Sequence, residues 1–317
     1  MYLALLSGKN IEMAKEEVLS FSSDSKEKLL DGRVFLFDTK KTPDFSKLGL
    51  AHEAGVFLGK KPEEVDFSVF SDKNIKISVL NLESKENSLL FSKKIGEFVS
   101  KKGFKVDFKS LEILRIYLTD AGAYFTKQVF VQDKKYFSKR ASPKRDFFMP
   151  TSIDPMVARA LVNIAGAKKG ATVLDPFCGS GGLLLEAAAV GAEVYGCDIE
   201  EKCVEGTIGN LEQFGYLVTA VTSDALDAKK VFKKKYDCVV TDLPFGKSSK
   251  ILQEKKKLYN EFLAEVPGLV KKGGRVVVGC DEAKLVYPKE CLLLEARFSL
   301  YIHRSMTRYF FVFKAVP

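Results

Sequence analysis

The second half of the chain predicts an α/β domain built on a parallel, doubly wound sheet. From about residue 170, four strand-like runs are each followed by a helix-like run, and a fifth strand-like run, "GGRVVVGC", comes next. The strand-like runs are apolar and rich in β-branched residues, which suits strands buried on both faces. The last segment, "CLLLEARFSLYIHRSMTRYFFVFKA", contains two strand-like runs joined by a short polar turn. It predicts a sheet that finishes in an antiparallel hairpin.

The strand and helix pairs follow one another with little between them. In order they are "ATVLDPF" with "GGLLLEAAAVG", "AEVYGCDI" with "EKCVEGTIGNLEQFG", "YLVTAVTSDA" with "LDAKKVFKKK", and "YDCVVTDLPFG" with "KKLYNEFLAEVPGLV". Just before them, "SIDPMVARALVNIAG" predicts a helix that begins with Asp154 as its N-cap and Pro155 in its first turn.

The first half predicts a smaller α+β organisation. "YLALLS" and "RVFLFDT" are predicted strands, and "NIEMAKEEVLSF" is a predicted helix with Asn10 as its N-cap. "DFSKLGLAHEAGVFLG" is predicted to be a further helix. From about residue 62, the strand "NIKISVLNL" and the helix "SLLFSKKIGEFVSKKG" precede the strands "KVDFKS", "EILRIYLTD" and "AYFTKQVF". Their alternation predicts an antiparallel or mixed sheet with helices packed on it.

Positive charge is concentrated in one part of the chain. The 317 residues carry a net charge of +9, and residues 101–150 alone hold 12 Lys and Arg against 5 Asp and Glu. Within that part, "KKYFSKRASPKRDFFMP" interleaves basic and aromatic residues and has the composition of a linker. This pattern favours binding to a polyanion such as single-stranded or looped nucleic acid.

Several classes of protein are excluded by composition. The six Cys show no CxxC spacing and lie mostly in apolar runs, so we expect reduced, buried thiols and a cytoplasmic protein. With only two His, a zinc site or a His-based triad is not expected, and no metal is predicted. The apolar runs are too short to span a membrane, and the N-terminus has no basic leader typical of a signal peptide.

Three acids end three successive strands of the predicted sheet. Asp175, Asp198 and Asp224 would therefore meet at the carboxyl edge, where such sheets bind ligands, beside a loop with Gly179 and Gly181. This set predicts a cofactor that contains a nucleoside. A dinucleotide is one alternative, but "DPFCGSGG" lacks GxGxxG spacing and places an acid before the loop. Asp175 favours a ligand with a cationic amino-acid end, such as S-adenosylmethionine (SAM).

These motifs resemble a known family. "VLDPFCGSGGLLLEAA", "VYGCDI", "TSDA" and "VVTDLPFG" resemble class I SAM-dependent methyltransferases with an acceptor motif of the D/N-P-P-Y/F type. "DFFMPTSIDPMVARALVNIAG", "DPFCGSGGLLLEAA" and "HRSMTR" resemble the archaeal tRNA guanine-N2 methyltransferases, over about 147–317 with specific motifs and over 1–146 more weakly. The resemblance implies a seven-stranded methyltransferase domain, preceded by a ferredoxin-like region and a THUMP domain that binds tRNA. The implied boundaries are 1–61 for the ferredoxin-like domain, 62–137 for THUMP, 138–150 for a basic linker and 151–317 for the methyltransferase domain.

The resemblance also implies site residues. Those expected to bind SAM are Asp175, Pro176, Phe177, Cys178, Gly179, Gly181, Asp198, Ile199, Asp224, Ala225 and Asp242. The acceptor motif is Asp242, Leu243, Pro244 and Phe245, in which Leu and Phe replace the usual Pro and Tyr. The residues expected to contact RNA are Lys139, Arg140, Lys144, Arg145, Lys247, Arg304 and Arg308.

The acceptor motif predicts direct methylation of an amino nitrogen. The exocyclic nitrogen of guanine is a weak nucleophile, so acceptors on its two hydrogens would return electron density to it. Asp242 and the Leu243 carbonyl would be those acceptors, and Phe245 would stack on the base. The family resemblance implies guanosine 10 of tRNA as the target. The alternatives are guanosine 6 of tRNA, rRNA guanine N2, DNA adenine N6, or a tRNA-binding protein without activity. Some members of the family that the chain resembles use a small activator subunit as a partner.

Overall fold

The computed structural model describes residues 1–21, 24–245, 249–287, 289–304 and 306–316, with the backbone alone for residues 249–252. The chain divides into two compact units. The first comprises Met1–Ile11, Ser22–Ser46 and Ala51–Gln132, and the second comprises Glu12–Phe21, Lys47–Leu50 and Asp133–Pro317. The α-helices, in chain order, are α1 (Ile11–Ser20), α2 (Ser88–Lys101), α3 (Lys134–Ser138), α4 (Pro155–Ile164), α5 (Gly182–Ala189), α6 (Glu201–Gln213), α7 (Ala228–Phe232) and α8 (Ser249–Glu265).

The first unit contains one sheet of eight described strands. They are β1 (Tyr2–Leu6), β2 (Lys26–Asp31), β3 (Val34–Asp38), β4 (Ala51–Gly59), β5 (Asn74–Asn81), β6 (Lys105–Val106), β7 (Ile113–Thr119) and β8 (Gly122–Val131). Their order is β2-β3-β1-β4-β8-β7-β5-β6, with parallel pairs only where β5 meets β6 and β7. The mixed sheet that the sequence predicts is therefore present. Strands from the 1–61 and 62–137 segments join in it through the antiparallel pair of β4 and β8.

The predicted helix over "DFSKLGLAHEAGVFLG" is wrong, because most of this segment is strand β4. The strand pairs with β1 on one side and β8 on the other, so its backbone groups are satisfied across both edges. Gly55 permits the close pairing, since a Cβ there would lie 2.1 Å from the Lys127 carbonyl oxygen. Neighbouring strands thus override the weak helical preference of this stretch.

The second unit confirms the doubly wound sheet. Its seven described strands are β9 (Thr172–Asp175), β10 (Glu193–Asp198), β11 (Thr219–Thr222), β12 (Tyr236–Asp242), β13 (Val270–Cys280), β14 (Leu292–His303) and β15 (Met306–Ala315). Their order is β11-β10-β9-β12-β13-β15-β14. Strands β9 to β13 are parallel, and β15 is antiparallel to both β13 and β14, which forms the predicted hairpin.

The sequence predicted a linker over residues 138–150, and the structure packs this segment within the second unit. The Phe147 amide donates to Oδ1 of Asn210 on α6, and Nδ2 of Asn210 donates back to the Phe147 carbonyl, each at 2.8 Å. Gly206 on the same helix makes room for the Phe147 ring, because a Cβ there would lie 2.2 Å from it. The segment is therefore held in place beside α6.

Local sequence signals bring the strand ends to one edge of this sheet. Helix α4 begins as predicted, with the Asp154 carboxylate accepting from the Met156 amide at 3.0 Å. Helix α5 follows β9 through Gly181, whose φ of +73° is a left-handed conformation that favours glycine. The carboxyl ends of β9, β10, β11 and β12 consequently face one side. Among the described residues, no helix has the length and apolar character needed to cross a membrane.

Candidate functional site

A cavity of about 410 Å³ opens at the carboxyl edge of the sheet in the second unit. All residues predicted to bind SAM or to form the acceptor motif line this cavity, except Gly181. The two neighbours of Gly181 in the chain also line the cavity. The predicted residues that it brings together are Asp175, Pro176, Phe177, Cys178, Gly179, Asp198, Ile199, Asp224, Ala225, Asp242, Leu243, Pro244 and Phe245. The residues predicted to bind SAM and those of the predicted acceptor motif therefore line the same cavity.

Asp175, at the end of β9, lies at the bottom of this cavity. Its side chain is almost fully buried, and its Oδ1 accepts from the Thr241 hydroxyl at 2.6 Å and from the Phe177 amide at 3.1 Å. Burial raises the pKa of Asp175 to about 7, although those hydrogen bonds favour the ionised form. A buried carboxyl of this kind is stabilised as an anion by a cationic ligand group placed next to it.

Asp198 ties β10 to the glycine loop. Its Oδ2 accepts from the Gly179 amide at 2.9 Å, and its Oδ1 accepts from the Glu200 amide at 3.0 Å. Each carboxylate oxygen has a second lone pair, so the group can still accept from a ligand hydroxyl. The side chain of the next residue, Ile199, is 71% exposed and lies at the cavity wall, where it offers an apolar surface to a flat ring.

Asp224 follows β11 and caps a short 3-10 turn. Its Oδ1 accepts from the Leu226 amide at 2.9 Å, which fixes the carboxylate at the cavity wall. The ordinary role of such a group is an N-cap, and the exposed second oxygen remains available to an amino group.

Asp242 ends β12 at the opposite part of the cavity. Its side chain is only 14% exposed, and its Oδ1 is buried without a hydrogen-bond partner among the described residues. A buried acceptor without a hydrogen-bond partner lowers the stability of the fold, and such an atom is typical of a functional site. Burial raises the pKa of Asp242 to about 7, while Arg308 lowers it and Asp281 raises it further.

The turn after Asp242 is held by its neighbours. The Leu243 amide donates to the Gly279 carbonyl at 2.9 Å, and Tyr259 on α8 donates its hydroxyl to the Pro244 carbonyl at 2.9 Å. Leu243 itself is completely buried, and the Phe245 ring lies at the cavity. The buried Leu243 side chain and the Tyr259 hydroxyl thus anchor a turn that lacks the usual double proline.

Gly279 on β13 makes the Asp242 position possible. A Cβ at Gly279 would lie 2.3 Å from Asp242 Oδ1, which is too close for any real contact. We expect Gly279→Ala to displace the carboxylate of Asp242, the predicted acceptor, and to lower kcat by about 10²-fold, as a misplacement of about 1 Å at a reacting centre does. Steady-state methylation assays with thermal melts would test this. Gly209→Ala on α6 is the matched control, because a Cβ there meets nothing within 4 Å; equal kcat values for the two variants would contradict the prediction.

The residues predicted to contact RNA fall into different environments. Lys139, Lys144 and Arg304 are exposed, as a phosphate contact requires. Lys247 lies outside the described residues. The corrections concern the remaining three, namely Arg140, Arg145 and Arg308, which are at most 5% exposed.

Each of these three buried arginines has a partner inside the protein. Arg140 pairs with Glu186 at 2.8 Å, Arg145 donates its Nε to the Arg140 carbonyl at 2.9 Å, and Arg308 pairs with Asp242 at 3.4 Å. Basic composition alone cannot separate such side chains from solvent-exposed ones. The structure therefore gives no support to RNA contacts at these three positions.

Sequence reasoning missed Glu186, Gly279 and Tyr259. Glu186 is the one acid in the apolar run "GGLLLEAAAVG", and a lone acid in a buried helix signals a buried partner. Gly279 and Tyr259 gave no comparable signal, because their roles depend on pairing with β12 and its turn. Among the described residues, no cluster of three or more His, Cys, Asp or Glu could hold a metal ion.

The fold and this cavity define a class I methyltransferase domain. A family model described as "RMKL-like, methyltransferase domain" matches residues 143–288, and one described as "DNA methylase" matches residues 6–209. The chain is 34% identical over 279 residues to the tRNA (guanine(10)-N2)-dimethyltransferase of Methanothermobacter thermautotrophicus, covering 83% of this chain and 82% of that protein. It is also 34% identical to the Methanocaldococcus jannaschii protein of the same name, covering 77% of this chain and 71% of that one. The chain therefore belongs to the tRNA (guanine(10)-N2)-dimethyltransferase family, which confirms the resemblance seen in its motifs.

Solved structures agree on the fold. TrmN from Thermus thermophilus aligns with a TM-score of 0.54 at 20% identity, covering 99% of each chain. SMU.472, solved in complex with SAH, aligns with a TM-score of 0.52 at 15% identity, covering 99% of this chain and 97% of that one.

Proposed function

We propose that this protein transfers methyl groups from SAM to N2 of guanosine 10 in tRNA. Support comes from the family to which the chain belongs and from one observation in the structure. The unpartnered Oδ1 of Asp242 lies in the same cavity as the three strand-end acids, Asp175, Asp198 and Asp224. This arrangement supports the proposal, because it would bring an acceptor for an amino group close to a nucleoside-binding set, as amino methylation requires.

The residues of the cavity fit SAM. When bound, SAM supplies an electrophilic methyl group on a sulfonium. Asp175 would hold the ammonium of its amino-acid end, Asp198 would accept from the ribose hydroxyls, and Asp224 would accept from the adenine amino group. Ile199 would cover one face of the adenine. The strand-end acids thereby fix the orientation of the cofactor.

The acceptor turn would bind the guanine. Asp242 Oδ1 and the Leu243 carbonyl would accept from the two hydrogens on N2, which raises the electron density on that nitrogen. Bound SAM would supply the methyl group in exchange for its sulfonium bond, and Asp242 or water would then take the surplus proton from N2. Phe245 would stack on the base once it has left its helix.

We propose that no cysteine acts as a nucleophile in this reaction. Burial raises the pKa of Cys238, on the acceptor strand, to about 12, so the thiol stays protonated at neutral pH. All six cysteines lie among the described residues and are free thiols. We propose a cytoplasmic, reducing location for the protein on this basis.

The N-terminal half would contribute to tRNA binding. We propose that 1–61 and 62–137 act as ferredoxin-like and THUMP regions, with 138–150 contributing exposed basic side chains. A small activator subunit is proposed as an additional partner. Its contribution can be measured by assaying the protein alone and with added archaeal extract.

The decisive assay offers labelled SAM with separate pools of unmodified tRNA, rRNA and DNA, followed by nuclease digestion and mapping of the product. We expect label in tRNA as N2-methylated guanosine at position 10, and loss of label when that guanosine is replaced by adenosine. Label confined to another RNA or to DNA would overturn the proposal.

DNA adenine N6 methylation is the second candidate. The "DNA methylase" family model matches residues 6–209, so the comparison extends through the strand ends that carry Asp175 and Asp198. That match ends before Asp242, whereas the 143–288 match includes it. The DNA pool of the same assay distinguishes the two candidates.

The exposed lysines of the 138–150 segment should contribute to RNA affinity. We expect Lys139→Ala with Lys144→Ala to weaken tRNA binding and to reduce the slope of log K against log salt by about 2, or one per lost phosphate contact. Filter-binding titrations between 50 and 200 mM salt, roughly the range over which phosphate contacts dominate, would measure it. Lys168→Ala with Lys169→Ala is the control, because those exposed lysines precede β9, away from its carboxyl end. An unchanged slope would place the RNA surface elsewhere.

A further inference from the structure

Arg308 on β15 reaches the acceptor turn from the terminal hairpin. Its Nη1 lies 3.4 Å from Asp242 Oδ2, and its guanidinium carbon lies 4.8 Å from the centre of the Phe245 ring. Its Nη2 donates to the Thr151 carbonyl, in the loop that precedes α4. The side chain is 5% exposed, so these contacts are made away from water. One guanidinium thus connects the acceptor carboxylate, the stacking ring and the wall of the cofactor cavity.

The two oxygens of Asp242 differ in their surroundings. Oδ2 faces the Arg308 guanidinium, while Oδ1 has no partner among the described residues. A base that stacks on Phe245 must use the ring face opposite the guanidinium, since cation–π contact occupies the other face. The arginine therefore limits where a base can lie and leaves one carboxylate oxygen open to it.

The other charged groups around Asp242 are mostly acids. Asp281, which follows β13, and Asp175, which ends β9, both interact with it electrostatically. Lys255 on α8 is paired with Asp281 at 2.5 Å, which partly offsets the charge of that acid. Burial favours the protonated acid at Asp242, and Arg308 is the group that acts in the opposite direction.

We infer that Arg308 is a positioning residue that keeps Asp242 ionised through Oδ2, so that Oδ1 can accept from the amino group of the base. This inference rests on the proposed function. A protonated Asp242 would present a donor where the reaction needs an acceptor, and it would also be unable to take the surplus proton from N2. In place of the RNA contact that the sequence predicted for Arg308, this inference gives it a role inside the active site.

The test compares the pH dependence of kcat in wild type, Arg308→Gln and Arg308→Lys. Arg308→Gln removes the charge and keeps a donor for the Thr151 carbonyl. We expect the acid limb of its profile to move up by at least one pH unit, so that kcat falls roughly five-fold or more at pH 7 and recovers near pH 9. Arg308→Lys keeps the charge and loses the planar fork, so kcat should fall at every pH while the acid limb stays in place.

A matched control is Arg297→Met, an exposed arginine on β14 of the same hairpin, which should leave the profile unchanged. An acid limb that stays in place in Arg308→Gln would overturn the inference, and so would a loss of activity that high pH does not restore. If Arg308→Gln is unfolded at the assay temperature, Arg308→Lys provides the test. Because that variant keeps the positive charge, a displaced acid limb in its profile would contradict the inference that the charge of Arg308 keeps Asp242 ionised.

A second readout separates this inference from the proposed function. Carboxyl-carbon NMR of labelled aspartate, with the Asp242 signal assigned through Asp242→Asn, follows ionisation without RNA or methyl transfer. A higher titration midpoint in Arg308→Gln than in wild type supports the inference. An unchanged midpoint overturns it. If the midpoint is higher in Arg308→Gln than in wild type but the wild-type protein methylates no tRNA, only the proposed function has failed.

Discussion

Replacement of Asp242 by alanine is expected to abolish methyl transfer while SAM binding largely persists. In the proposed mechanism, the substitution removes the acceptor that would stabilise positive charge developing on the amino nitrogen, and it removes a route for the departing proton. Loss of one preorganised group of this kind costs about 10²–10³ in kcat, and loss of general-base assistance adds to it, so we expect a fall of at least about 10³-fold. Transfer of labelled methyl to tRNA measures the first quantity, and calorimetric titration with SAM measures the second.

The control for this prediction is Asp175→Asn, which keeps the size of the side chain and removes the charge expected to hold the SAM ammonium. We expect that variant to lose cofactor affinity, whereas Asp242→Ala should change it by less than about ten-fold. The opposite pattern, or activity that survives Asp242→Ala, would show that the acceptor has been assigned to the wrong residue.

The raised pKa of Asp242 gives this prediction a pH dependence. The pKa of about 7 lies above the ordinary 3.8, so the carboxylate becomes protonated as the pH falls through 7. The wild-type kcat should therefore decline below pH 7, where the acceptor is lost. Asp175 has the same direction of shift, to about 7, and its protonation should raise the KM for SAM over the same range.

The sequence predicted the parts of the fold that follow from local patterns. Strand and helix alternation after residue 170 predicted the parallel sheet. The acids at the ends of β9, β10, β11 and β12 could be found because the carboxyl ends of parallel strands lie along the same edge of a sheet. The error at β4 arose because "HEAGVFLG" carries no decisive local preference. Its state is determined by pairing with β1 and β8, which are distant in sequence.

The parts of the site that were missed, or given a different role, depend on long-range pairing. Gly279 is opposite Asp242 only because β13 lies parallel to β12 in one particular register. Arg308 is 66 positions beyond Asp242 and reaches it through a hairpin that reverses direction. Basic residues look alike in a sequence, and only the fold separates Lys139, which faces solvent, from Arg140, which is buried.

Arg140 belongs to a buried cluster centred on Glu186 of α5. Glu186 Oε1 accepts from Arg140 Nε at 2.8 Å, and Glu186 Oε2 lies 2.8 Å from Nη2 of Arg159 on α4. The Glu186 side chain is completely buried, and both arginines are at most 5% exposed. The Tyr136 ring stacks on the Arg140 guanidinium at 3.6 Å. One carboxylate thus joins α4, α5 and the segment after α3.

Glu186→Ala should be among the most destabilising substitutions in the second unit. It removes the carboxylate that pairs with two buried guanidiniums, and breaking a buried ion pair from one side costs about 3–5 kcal/mol of unfolding free energy. The measurement is chemical denaturation followed by far-UV circular dichroism, analysed with more than one transition because the chain has two units. Glu205→Ala on α6 is the control, since that exposed glutamate should change the unfolding free energy by at most about 0.5 kcal/mol.

The same charge argument also predicts the stability of a triple variant of this cluster. If the cost of Glu186→Ala comes from uncompensated guanidiniums, the triple replacement Glu186→Leu, Arg140→Met and Arg159→Met should be less destabilising than Glu186→Ala alone, because the two guanidiniums that pair with Glu186 are removed together with it. If the cost comes from lost packing volume, the triple variant should be as unstable or worse. A Glu186→Ala variant as stable as Glu205→Ala would contradict this prediction, because it would show that water can replace Glu186 as the partner of the two guanidiniums. The segment carrying Lys139 and Lys144 would then be held mainly by the hydrogen bonds of Phe147 to α6.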